Sequence, residues 1–170
     1  MNFRVGLLVA LAFSAAIFGF FYAWVCSTMW GLDQLPPDTA IEAMNAMNRS
    51  VRNAVFAPAF FGTPIVLLLV AAWGWALGHR KVAIVLASAA LLYILGAFAP
   101  TVMVNVPMNL ALMETDMGQT DSLRGIWSEY SERWQVWNTA RTVASGVVVL
   151  LVGWALLLHG SSLAAHGTKA

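Results

Sequence analysis

Four uncharged apolar runs divide the chain: Val5 to Met29, Phe56 to Leu77, Val82 to Val104 and Val143 to Leu158. A helix needs about 20 mainly apolar residues to cross a bilayer. The pattern therefore predicts four transmembrane helices, at about 5–29, 56–77, 82–104 and 140–159. A secretory leader has a similar basic start, but its apolar part is only about 7–15 residues long, whereas the first run is nearer 25.

Between the runs the period changes. Pro36 and Pro37 stop the first helix, and from Thr39 to Asn53 the residues Asn45, Asn48, Arg49 and Arg52 recur on one helical face. Asp38 or Thr39 is expected to cap this short helix, with Glu42 in its first turn. Pro58 leaves two geometries open: a separate short helix ending near Asn53, or one long helix kinked at the proline. Gly78-His79-Arg80-Lys81 is expected to be a tight turn, Asn105-Val-Pro-Met-Asn109 a turn beyond the third span, Met113 to Thr120 a loop, and Gly160 to Ala170 a small polar tail. Ser122 to Arg141 is the most patterned stretch. On a helix, Trp127, Tyr130, Trp134, Trp137, Asn138 and Arg141 fall within about 100° of arc, while Glu129, Glu132 and Val136 project from the other side. This stripe runs straight into the fourth span.

Composition sharpens the class. The chain is 60% hydrophobic and 10% charged, against roughly 25% charged in soluble domains, so lipid must solvate much of it. The nine basic residues form no cluster, which leaves nucleic acid without an electrostatic footprint. Cys26 is the only cysteine, so neither an internal disulfide nor a thiolate metal cage can form, and no metal site is expected. Phosphate loops, nucleophile elbows and HExxH are absent. Arg4, Arg80, Lys81 and Lys169 lie in three short segments on one side, while all eight acids lie in the two long connections, about 30–55 and 105–139. Basic density over short loops predicts cytoplasmic termini and, for a bacterial protein, the inner membrane. The expected architecture is all-α: a single four-span membrane domain over 1–170, an integral membrane four-helix bundle with a small helical cap on the outer side.

Four elements then converge on the outer side: the Asn45–Arg52 face, the Phe56–Gly62 segment, the Asn105–Asn109 turn and the Trp127–Arg141 stripe. Aromatic walls with a few convergent polar groups make a pocket. The run VNVPMNLAL, Val104 to Leu112, followed by W-x-x-Y-x-x-x-W-x-x-W-N-x-x-R, Trp127 to Arg141, resembles the anthrone oxygenase-like family of small four-span membrane proteins, over essentially the whole chain. The resemblance implies oxidation of a polycyclic anthrone to an anthraquinone with molecular oxygen as co-substrate, and no established cofactor. Such chemistry needs a stabilised carbanion or phenolate in an apolar cavity. In that role Trp127, Trp134 and Trp137 would stack on a planar ligand, and Arg141 with Asn105, Asn109 or Asn138 would stabilise an enolate oxygen. Tyr130 would donate or relay a proton; Asn45, Arg49 and Arg52 complete the binding surface. No histidine lies on this side, so the usual base is missing.

Bland readings stand beside these. Trp and Tyr gather at membrane boundaries whatever the function, and Arg141 with Asn138 can be a structural clamp. Asn105 and Asn109 can satisfy backbone freed by Pro107. His79 and His159 end the second and fourth spans, where they suit the helix C-terminal dipole or could ligate a haem or metal. Gly74-x-x-x-Gly78 and the Gly146/Gly153 pair permit close helix contact, within the bundle or in a homo-oligomer. A non-enzymatic membrane protein whose cap binds a partner protein or lipid is the alternative function. A transporter fits less well, because the spans lack ionisable residues at mid-depth.

Overall fold

The computed structural model describes the backbone of residues 2–167 and the side-chain surroundings of residues 2–161. Every regular element of the described chain is a helix, and none is a strand. Helix α1 covers Phe3–Leu32, α2 Pro37–Ser50, α3 Phe56–Ala76, α4 Arg80–Met113 and α5 Thr120–Gly167. All but α2 are long and apolar enough to cross a membrane. They form a four-membered ring in which α1 and α4 each pack against both α3 and α5. Large apolar side chains such as Leu8, Leu69, Leu95 and Leu150 point outward, a surface that only lipid can solvate. The protein is an integral membrane four-helix bundle. Its termini end gathers Phe3, His79 and His159. The opposite end carries α2 and a second core of Met29, Ile41, Met44, Leu112, Trp127 and Trp134, which is the cap.

Several expectations change at the helix ends. The first helix of the cap begins at Pro37 rather than behind an Asp38 or Thr39 cap. Proline is favoured in a first turn because its missing N–H has no helical partner there; Asp38 instead accepts from the Thr39 N–H at 2.7 Å within that turn. The stretch to Ala76 is two helices, not one kinked helix. Asn53 Oδ1 accepts from the Val55 and Phe56 amides at 2.8 and 2.9 Å, capping α3, and Pro58 falls harmlessly in the first turn. Gly78 turns the chain with φ +83°, a conformation that favours glycine, but Arg80 and Lys81 already belong to α4.

The largest correction concerns Asn105–Asn109, which is helix and not a turn. Two wide turns, Ile94–Phe98 and Thr101–Asn105, interrupt the α-helical register of α4. The second closes just before Pro107, with the Val106 N–H on the Thr101 carbonyl. A widened turn absorbs the proline ring and lets the helix continue. Likewise α1 passes beyond Met29 through a wide turn at Trp24–Thr28. At the other end α5 runs through Gly160 to Gly167, so the expected polar tail is largely helix; residues 168–170, including Lys169, lie outside the described residues. With 48 residues, α5 is about 72 Å long, more than twice the roughly 30 Å hydrocarbon core.

Two glycines mark close helix contacts inside the bundle. A Cβ at Gly74 would meet the Phe3 ring at 2.9 Å, and one at Gly96 would lie 2.6 Å from the Ala144 Cβ. Gly96 marks the close approach of α4 to α5, a contact that the spaced-glycine motifs did not indicate.

Candidate functional site

Below the cap, α1, α3, α4 and α5 enclose a cavity of about 610 Å³. Its walls are Phe20, Phe21 and Trp24 from α1, Phe56, Phe60 and Phe61 from α3, and Trp134 from α5. The polar groups come from α2 and its exit (Asn48, Arg52, Asn53), from α4 (Thr101, Asn105, Asn109) and from α5 (Arg141).

Arg141 is only 4% exposed. Its Nη1 donates to Thr101 Oγ1 at 3.0 Å and its Nη2 to Asn138 Oδ1 at 2.9 Å. Asn138 in turn donates to the Phe21 carbonyl at 3.1 Å, so the guanidinium is anchored to three helices. Its carbon lies 4.6 Å from the Phe21 ring centroid and 5.2 Å from that of Trp134, within cation–π range. Among the described residues, no carboxylate lines the cavity. The cation is therefore held by neutral oxygens and ring faces, a costly arrangement in a dry site.

Among the described residues, four buried polar atoms of this cavity have no hydrogen-bond partner: Arg141 Nε, both side-chain atoms of Asn105, and Asn48 Nδ2. Each such atom costs about 1–3 kcal/mol. Asn105 is 1% exposed, so solvent at the surface does not relieve it. Asn105 ends the wide turn Thr101–Asn105 and lines the cavity.

Behind the cavity lies a satisfied network. Asn109 Oδ1 accepts from Tyr130 Oη at 2.7 Å and from Trp134 Nε1 at 3.1 Å, and Asn109 Nδ2 donates to Asn48 Oδ1 at 2.9 Å. A second hub ties the cap to α1. Asp33 accepts from Trp127 Nε1 at 3.1 Å, Ser131 Oγ at 2.7 Å and Gln135 Nε2 at 3.0 Å.

Of the residues singled out by pattern, Arg141, Asn109, Asn105, Trp134 and Arg52 line the cavity together. The others do not. Tyr130 stands behind the wall, its hydroxyl committed to Asn109. Trp127 is drawn off to Asp33, and Trp137 is half-buried outside the lining. Asn138 positions Arg141 without reaching the cavity. Asn45 turns to the Leu112 carbonyl at 3.4 Å, and Arg49 is exposed, away from the lining. Sequence reasoning missed the wall contributed by α1. The aromatic cluster Phe20-Phe21-Tyr22-Ala23-Trp24 was its available signal. It placed Asn48 on the polar face with Asn45 and Arg52 but did not count it among the binding residues.

His79 and His159 face each other at the termini end, ring centroids 4.7 Å apart, with Phe3 against both. Among the described residues, no group of three or more His, Cys, Asp or Glu is arranged to hold a metal.

Fold and cavity together define a four-span integral membrane protein with a buried, cationic aromatic cavity under a helical cap. A family model described as anthrone oxygenase matches residues 52–151, and the chain belongs to that family. The matched stretch includes Arg52, Asn105, Asn109, Trp134 and Arg141, while Asn48 and the α1 wall lie outside it. No curated protein and no solved structure matches the chain.

Proposed function

We propose that the protein is a membrane oxidoreductase that oxidises a planar aromatic or phenolic compound with molecular oxygen in this cavity. The observation that carries the reading is Arg141: a buried guanidinium with no acidic partner in the cavity, facing an aromatic slot beside the unpartnered Asn105. A flat ring fits between Phe20, Phe21, Phe56, Phe60 and Trp134, where edge and face contacts favour aromatic ligands. A developing enolate or phenolate oxygen beside Arg141 gains a cation fixed in advance by Thr101 and Asn138, so little reorganisation accompanies the charge. Asn105 supplies both a donor and an acceptor to neighbouring oxygens of the ring system.

For an anthrone-type methylene, ionisation releases a proton to water at the mouth near Arg52 and Asn53. The carbanion adds oxygen to give a peroxide anion, which takes a proton back from water to become the hydroperoxide, and loss of water leaves the ketone. Net, one O₂ converts CH₂ to C=O and H₂O. Among the described residues, no histidine, aspartate or glutamate lines the cavity, so acidification by Arg141 replaces a side-chain base. The family implies no organic cofactor, and oxygen is the co-substrate. Arg4, Arg80 and Lys81 at the termini end favour cytoplasmic termini in a bacterial inner membrane, with the cavity opening outward.

The test is oxygen consumption by the purified protein in lipid nanodiscs with an anthrone. The reading requires a rate above the spontaneous oxidation that falls to background in Arg141→Met. A wild-type rate equal to the spontaneous one sinks it.

A further inference from the structure

The cavity does not end at its aromatic wall. A second groove of about 440 Å³ lies between α1 and α3. Six residues line both spaces: Phe20, Trp24, Met47, Val51, Asn53 and Phe56. The Phe20 and Phe56 rings, with centroids 4.7 Å apart, form the partition. Beyond them the groove is walled by Ala16, Ile17 and Ala59, with no polar side chain at that depth. Ala16 is exposed on the lipid side of the bundle. From Trp24 down to Ala16 the groove follows α1 for about 12 Å. A cavity holding unpartnered polar atoms thus continues into an apolar slot that opens on lipid.

The polar atoms have a spacing of their own. Thr101, Asn105 and Asn109 lie at four-residue intervals along α4, all lining the cavity; the first interval is the wide turn and the second is almost all ordinary helix, so successive levels are about one turn apart. Arg141 joins the Thr101 level and Asn48 the Asn109 level through hydrogen bonds. The unpartnered atoms therefore stand at three levels, each about one turn, ~5 Å, from the next. Para-related oxygens across one aromatic ring are separated by about the same span.

We propose that the ligand of this cavity is a lipid-dissolved amphiphile: a para-dioxygenated aromatic ring, quinol or quinone, bearing a hydrocarbon chain. The ring occupies the cavity with its oxygens at the Arg141 and Asn105 levels, and the chain lies in the α1–α3 groove past Phe20 and Phe56. This rests on the cavity being the ligand site, as proposed above. The chain gains little free energy on leaving the bilayer, since lipid is already apolar. Its consequence is selectivity and lateral delivery, and the test is built on selectivity.

Wild-type protein in nanodiscs is titrated with a decyl-substituted para-benzoquinone and with the same ring lacking the chain, following quenching of tryptophan fluorescence, to which Trp24 and Trp134 contribute at the cavity wall. Ala16→Phe and Ala59→Phe fill the groove from its two walls without touching the polar end. A phenylalanine at either position takes the space of the hydrocarbon chain, so binding of the tailed probe should weaken about tenfold while the tailless probe is unaffected. Equal loss of both probes, or loss of neither, overturns the chain placement and leaves the cavity reading intact. Failure of both probes to bind wild type overturns this inference, while the cavity reading stands or falls on its own test with an anthrone. A diazirine at the chain terminus should label α1 or α3; labelling confined to α4 and α5 also overturns the placement.

Discussion

Tyr93 donates its hydroxyl to the Phe60 carbonyl at 2.9 Å, and that carbonyl is the one Pro64, four residues on, cannot serve. Proline lacks the N–H that would close the turn, so a neighbouring helix supplies the donor. Tyr93 is fully buried, and Phe60 carries one wall of the cavity. The pair couples the α3–α4 interface to the site.

Tyr93→Phe should therefore lower stability by about 1–3 kcal/mol, the cost of an unsatisfied buried acceptor. Thermal unfolding in detergent measures it. Combined with Pro64→Ala, which restores an internal donor, the loss should shrink. An additive double mutant would show that the hydrogen bond does not serve the proline gap.

Arg141→Met should separate function from stability. A buried cation without an acid partner costs free energy, and apolar replacement of such groups is often neutral or stabilising. Ligand binding should fall by more than tenfold while the unfolding temperature holds or rises. A parallel collapse of both would reassign Arg141 as a structural clamp.

Asn105→Leu removes two unpartnered buried atoms at nearly constant volume. The unfolding temperature should increase, by an amount corresponding to about 1 kcal/mol or more, with loss of ligand binding, the expected trade at a site built for a ligand. A fall in stability would mean that the amide has a partner in the folded protein.

Asp33→Ala should loosen the cap and spare the bundle. Three side chains from α5 converge on this carboxylate, and charge-assisted hydrogen bonds contribute about 1.5–3 kcal/mol each, with partial overlap when they share an acceptor. Hydrogen exchange should accelerate in residues 120–135 and at α2, while the four spans stay protected. Uniform acceleration would count against a local clamp.

The four spans were readable from the chain because a bilayer imposes one length and one solvent on each uncharged run. The helical character of Ser122–Arg141 was equally plain, and Trp127, Tyr130, Trp134, Asn138 and Arg141 are all buried on its inner face. One face is not one site, however. From Trp127 to Arg141 the helix climbs about 21 Å, so its upper members pack in the cap around Asp33 and only its lower part reaches the cavity. Wide turns are just as hidden from periodicity. They changed Asn105–Asn109 from an expected turn into helix.

Local pattern thus determined which segments are helical, which are apolar and which faces are buried, since these follow from period, proline and charge within a few turns. Tertiary structure alone decided which buried groups meet. Phe20, Phe21 and Trp24 join Arg141 across more than 110 positions of sequence, and Phe60 finds its donor in Tyr93 on another helix. Those pairings depend on how four helices rotate and slide against one another, and that is set by close contacts such as Gly96 on Ala144, summed over the whole bundle.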